Sequence, residues 1–341
     1  MQFMNGLRGR PVANCMPTPI KRIAIFPKIQ PDTVLAVFLL KKFGEVMFPG
    51  VAEAEVVFWS STEPGKTPAQ YEQEGTLLID HAGSRFDHHR DDHGRKTECA
   101  SSLVAKALGV TDKPELKKLL AWAKRDDLEG KGTISSDPLD RAFGLSGIIM
   151  TLNRTHADNP QNILDFVYAI FEAHFHDEWR RANELPAEWR KARAEGRATE
   201  SMINSALGSL RLITLDSENV ALPGFLRAYL KADVVIQRLP TGHINVITRQ
   251  QKRVDLKPAV ASIRRAEATA TGFDISNLDQ ETLEKPGRVP GLDQWFYDTA
   301  ANTIQNGGVN PQNIVPTALT LVQVTEALTR GLEPKNNQHP I

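Results

Sequence analysis

Along the first third of the chain the apolar residues alternate between short compact runs and helical stripes. Arg22-Ile-Ala-Ile-Phe26 has strand character, and after Pro31-Asp32 the stretch Thr33 to Phe43 has helical density and closes near Gly44. Val56 to Trp59 and Thr76 to Ile79 are further apolar, partly β-branched runs, separated by the polar segment Ser60 to Gly75 with its Pro and Gly punctuation. Both predict central strands. Glu98 to Leu108 then reads as a helix stopped at Gly109, and Pro114 to Arg125 as another, with Asp112 as N-cap and Pro114 in the first turn. Such alternation predicts an α/β domain on a doubly wound parallel sheet, with ligands at the carboxyl ends of its strands.

The middle of the chain turns helical. Pro138 to Leu152 is one stretch, and Asn159 caps a second that runs through Ile163 to Trp179. From Trp179 to Arg197 arginines and lysines outnumber glutamates on a solvated face. A second α/β pattern follows: strand Leu212 to Leu215, helix Pro223 to Lys231, strand Val234 to Gln237, a Pro240-Thr-Gly242 turn and strand Ile244 to Thr248. The domains expected are an N-terminal arm (1–20), a first α/β domain (21–155), a helical linker (156–210), a smaller second α/β domain (211–332) and a polar tail (333–341).

Composition narrows the class. With 41% hydrophobic and 24% charged residues in 341, the chain is that of an ordinary globular protein, neither disordered nor fibrous. Lysine plus arginine and aspartate plus glutamate number 41 each, which argues against long duplex DNA as a partner and leaves short single-stranded nucleic acid open. The longest apolar run, Val34 to Leu40, is too short to span a bilayer, so no membrane association is expected. Cys15 and Cys99 alone cannot make a disulfide framework, a zinc knuckle or a CxxC motif, and they fit a reducing, cytoplasmic setting.

The densest chemistry lies just after the third strand, in Asp80-His81-Ala-Gly83-Ser-Arg85-Phe-Asp87-His88-His89-Arg90-Asp-Asp92-His93. Four of the nine histidines and four aspartates fall within these fourteen residues. Imidazole plus carboxylate suits a borderline-hard divalent ion such as Mn²⁺, Fe²⁺ or Zn²⁺ at a catalytic site, and the lack of thiols disfavours structural zinc.

Asp80 at a strand end, Asp87-His88-His89 a short loop later, and the small-residue helix Glu98-Cys-Ala-Ser-Ser-Leu-Val-Ala-Lys106 together resemble the DHH phosphoesterase superfamily. The spacing is closest to its Myg-type, RecJ-like branch. The resemblance covers Lys21 to about Gly130 and is weaker beyond. It implies Mn²⁺ or Mg²⁺, one or two ions, activating water for attack at phosphorus, with an active site between a catalytic and a substrate-holding domain. Carried over, it makes Asp32, Asp80, His88 and Asp126 metal ligands, with Asp126 preferred over the adjacent Asp127, and gives Asp87 and His89 catalytic roles beside the metal or facing phosphate. The first motif departs from the family: Ile25-Phe26-Pro27-Lys28-Ile29-Gln30-Pro31-Asp32-Thr33 retains only Asp32, which leaves one metal site complete and strips the other. His81, His93 and Lys28 stand close enough in sequence to assist.

In the second half, His243 at a hairpin, Arg249 at a strand end, and Gly307-Gly308 after Asn306 are the candidates for holding substrate, since guanidinium matches phosphate and glycines let backbone amides approach an anion. The expected function is a metal-dependent phosphoesterase, a nuclease-type hydrolase of short single-stranded RNA or small nucleotides. The alternative is a degenerate protein of the same fold that binds a nucleotide, or regulates a partner, without cutting. A homodimer fits either.

Overall fold

A computed structural model describes residues 18–90, 97–130, 135–307 and 313–334. The chain is α/β and divides into two compact units, Met1–Arg180 and Arg181–Ile341. Among the described residues no helix is long and apolar enough to cross a membrane.

The first unit runs β1 (Arg22–Ile25), α1 (Pro31–Phe43), β2 (Glu55–Phe58), α2 (Pro68–Gln73), β3 (Thr76–Leu78), α3 (Ala100–Ala107), α4 (Lys117–Arg125), α5 (Pro138–Phe143), α6 (Leu145–Thr155) and α7 (Pro160–Trp179). Its sheet is parallel, in the order β2-β1-β3. Strand alternation sends Ile23, Ile25, Leu77 and Ile79 to one face, against α1, α3, α4 and α7, and Ala24 and Leu78 to the other, against Tyr71 of α2. In α1 every residue from Pro31 to Leu40 is buried, which explains a sequence apolar on all sides. Pro31 occupies its first turn, and Lys41 and Lys42 sit in its last, where they complement the helix dipole.

The second unit runs α8 (Leu185–Ala194), β4 (Ala198–Ser205), β5 (Gly208–Asp216), α9 (Leu222–Ala228), β6 (Val234–Arg238), β7 (Ile244–Thr248), α10 (Lys257–Thr271), α11 (Gln280–Glu284), β8 (Gly287–Val289), β9 (Leu292–Asp298), β10 (Thr303–Asn306) and α12 (Leu321–Leu332). Its seven-stranded mixed sheet has the order β4-β5-β6-β7-β10-β9-β8, with only β5 and β6 parallel. Leu210 and Leu212 pack with α10 and α12, while Ile213 and Leu215 pack with α8 and α9.

Several expectations need correction. Residues 156–210 are not a linker: α7 belongs to the first hydrophobic core, α8 to the core on one face of the second sheet, and β4 is an edge strand of that sheet. The helix expected over Pro138 to Leu152 breaks at Gly144, whose extended backbone separates α5 from α6. Gly147 is required there, because a Cβ on it would lie 2.1 Å from the Arg141 carbonyl oxygen. Asp112 is not an N-cap; a short 3-10 turn, Pro114–Leu116, starts after Lys113 and precedes α4. The segment Ser60 to Gly75 contains α2, opened by Thr67 and Gln70 in a reciprocal capping box. Most of the expected N-terminal arm and tail lies outside the described residues.

Candidate metal centre

The parallel register of β1 with β3, Arg22 opposite Thr76 and Ala24 opposite Leu78, brings the carboxyl ends of both strands out on one edge. The loop after β1 leads into α1, whose first turn carries Asp32; the loop after β3 begins with Asp80. Asp32 is buried, and its Oδ2 accepts the Ala100 amide at 3.1 Å, from the first turn of α3. Two helix N-termini therefore face this carboxyl and favour its charged form. Burial outweighs them: desolvation first, then the Asp127 and Asp80 charges, push the Asp32 pKa up to about 8.

The loop from Asp80 to His89 is braced by its own polar groups. Asp80 adopts φ 51°, a left-handed conformation that aspartate tolerates better than most residues, and Ala82 and Gly83 follow with positive φ. The Ser84 hydroxyl donates to the Leu78 carbonyl at 2.8 Å, and Ile79 bridges to Phe86. Asp87 uses both carboxylate oxygens as staples, accepting the Gly83 amide at 2.7 Å and the His89 amide at 2.9 Å. A non-glycine residue held in the left-handed region by this many bonds marks a position the fold over-determines.

The result is an imidazole between two acids. His88 Nδ1 lies 3.3 Å from Asp80 Oδ1, and His88 Nε2 lies 3.3 Å from Asp127 Oδ2. His89 Nε2 is 3.5 Å from the same Asp80 oxygen, with the His89 side chain about half exposed. Two overlapping triads, Asp80-His88-His89 and Asp32-His88-Asp127, each bring three ligand atoms within 4.8 Å of one another and could hold a metal ion. Asp80 is buried, and desolvation raises its pKa; His88 and His89 oppose this, and the Asp87 and Asp127 charges add to it.

A metal ion fits this cluster. Among the described residues Asp80 Oδ1, His88 Nδ1 and Asp127 Oδ2 are buried without an aligned hydrogen-bond partner. Leaving such an atom unsatisfied costs on the order of 1–3 kcal/mol, so three in one cluster of acids ask for a cation. Whichever His88 nitrogen binds it, the other faces a carboxylate able to fix the tautomer.

The structure brings together Asp32, Asp80, His88 and His89 of the expected set and corrects the rest. Asp127, not Asp126, faces His88. After α4 the backbone widens into an i→i+5 turn, Asp126–Gly130, which changes the angle between successive side chains from that of a regular helix end. Asp87 is a positioning residue, since both its oxygens are committed to backbone amides. His81 stacks on Phe26 at 4.1 Å, and its Nε2 is 3.2 Å from the Trp59 carbonyl, so it braces the loop behind the cluster. Asp92 and His93 lie outside the described residues.

The substrate candidates of the second unit are tied into its framework. Arg249 Nη2 pairs with Asp233 at 2.7 Å, and the His243 nitrogens contact the Thr241 hydroxyl and the Ile314 carbonyl, each at 2.9 Å. Asn306 is fully buried; it donates to the Gln294 and Val315 carbonyls and accepts the Thr317 amide. Gly307 turns the chain at φ 79°, and Gly308 lies outside the described residues. Sequence reasoning missed Asn153 of α6, which donates to the Ile29 carbonyl at 2.8 Å and accepts the Ile29 amide at 2.9 Å, clamping the loop before Asp32. No short motif announces such a clamp.

Neither a protein-family model nor a curated protein matches the chain.

Proposed function

We propose that the chain is a metal-dependent phosphoesterase of DHH type, with a doubly wound catalytic domain, that hydrolyses a phosphodiester in short single-stranded RNA or a small nucleotide. The observation that carries this reading is His88 held between Asp80 and Asp127, beside the buried Asp32, at the carboxyl edge of a parallel sheet. Asp32, His88 and Asp127 would hold Mn²⁺ or Mg²⁺, with Asp80 either a further ligand or part of a second site with His89. The ion would supply a Lewis acid and an activated water for attack at phosphorus. In this reading His89, half exposed beside Asp80, would face the leaving oxygen as proton donor, and Asp87 keeps the loop in register.

The test is release of mononucleotides from a 5′-labelled RNA oligomer with Mn²⁺, comparing the native chain with His88→Ala and Asp127→Ala. Products from the native chain alone are expected. Equal product from all three proteins would remove the cluster from the chemistry. A second reading, nucleotide binding without hydrolysis, is favoured by one observation: the loop from Phe26 to Gln30 adds no residue to either triad. Mn²⁺ and nucleotide bound by the native chain, with no product, is its signature.

A further inference from the structure

Beside the cluster lies a cavity of about 530 Å³ that the proposed function does not use. Asp127, one of the candidate metal ligands, forms part of its wall. Lys28 and Arg154 also line it. Both are exposed, and neither makes an ion pair with a carboxylate among the described residues. The Arg154 guanidinium instead donates to the Thr151 hydroxyl at 3.2 Å, which holds its base on α6.

Two further features distinguish this cavity from a solvated surface dent. The Ser146 hydroxyl lines it, is buried, and has no hydrogen-bond partner among the described residues. Ile149, buried, and Met150, exposed, supply an apolar wall one turn along the same helix. The Asn153 clamp on Ile29 fixes the Lys28 loop against α6, so the two cations are presented by elements locked to each other. A volume of this size takes a small ligand, and convergent cations on a partly apolar pocket define its chemistry as anionic at one end and apolar at the other.

We propose that this cavity binds a mononucleotide-sized phosphate ester, with Lys28 and Arg154 on its phosphate and Ile149 and Met150 against its apolar portion. Two cations converging on one cavity match a phosphate dianion, whereas a carboxylate would leave one of them unmatched. Presentation of the bound phosphate to an ion at Asp127 rests on the phosphoesterase reading; the binding itself does not.

The experiment is calorimetric titration of the Mn²⁺-loaded full chain with 5′-AMP, adenosine and inorganic phosphate, for the native protein, Lys28→Ala, Arg154→Ala, Lys28→Arg and Arg154→Lys. Bound Mn²⁺ is measured in every sample. The native chain is expected to bind AMP at least tenfold more tightly than adenosine. Each alanine variant should weaken AMP by roughly tenfold or more while leaving adenosine and Mn²⁺ uptake unchanged, and each conservative variant should recover part of the loss. Both side chains are exposed, so the variants should keep the native melting temperature. AMP bound equally by the native and alanine proteins, no preference of AMP over adenosine, or no AMP binding by the native chain each overturns the proposal. AMP binding lost in the variants while native Mn²⁺ uptake is absent would sustain the cavity and remove the metal-dependent reading. RNA cleavage with an unchanged KM in both alanine variants would do the reverse.

Discussion

Replacing Asp32 by asparagine tests the electrostatics of the cluster without changing its shape. In the metal-free chain the Asp32 carboxyl, with a pKa raised from 3.8 to about 8 by burial and by Asp127 and Asp80, holds its proton at neutral pH. The unfolded chain has released that proton by then. Between the two pKa values the native state therefore binds more protons at this group, so its contribution to stability is greatest below about pH 4 and falls as pH rises toward 8. At about 1.4 kcal/mol per unit, the span from 3.8 to pH 7 costs native folding roughly 4 kcal/mol at most, and the span to pH 5 roughly 2 kcal/mol. Asparagine does not titrate, so its own packing effect is a constant offset. Urea unfolding of both proteins in EDTA at pH 5, 7 and 8 should show the variant gaining on the native chain by about 3 kcal/mol between pH 5 and 7, with a further gain by pH 8. Added Mn²⁺ should then stabilise the native chain at pH 7.5 and leave the variant nearly unmoved, because the cation replaces the proton on Asp32. A stability difference that stays flat across this range would refute the burial argument.

The neighbouring aspartates separate by position. Asp127→Ala should weaken Mn²⁺ binding by at least tenfold in calorimetry, while Asp126→Ala, which does not face His88, should change it by less than about threefold. Asp87→Ala removes the acceptor for two backbone amides, so Mn²⁺ affinity should fall by about 10–100-fold, and Asp87→Asn should restore only part of it. In the second unit Arg264 is fully buried and donates to the carbonyls of Leu283, Lys285, Gly287 and Trp295. Arg264→Ala should cost about 3 kcal/mol or more in urea unfolding, since buried carbonyls lose their donors; a loss below about 1 kcal/mol would show that water takes over those bonds.

How far each feature was legible in the sequence depends on the range of the interactions that decide it. The strands and α1 of the first unit are local: Val34 to Leu40 is apolar on every side because both the sheet and the flanking helices cover it, and an uninterrupted run of that kind is readable. The cluster was legible for the same reason, since Asp80, His88 and His89 sit on one loop closed by its own hydrogen bonds. Asp127 was the harder choice. Deciding between adjacent aspartates needs the pitch of the last helical turn to within a fraction of a residue, and the widened turn after Arg125 alters that pitch with no residue-type signature. The second unit was least legible, because five of the six pairings in its sheet are antiparallel and join strands whose order depends on distant partners, such as β7 with β10. His243 and Arg249 show the limit most clearly. Their types suit phosphate, yet Thr241 and Ile314 engage both His243 nitrogens and Asp233 takes one Arg249 guanidinium nitrogen, so chemistry-bearing residues are informative only once their competing partners are known. The same test points the other way at Lys28 and Arg154: cations that line a cavity beside unsatisfied acids, with no carboxylate of their own among the described residues, are the ones left to meet a ligand.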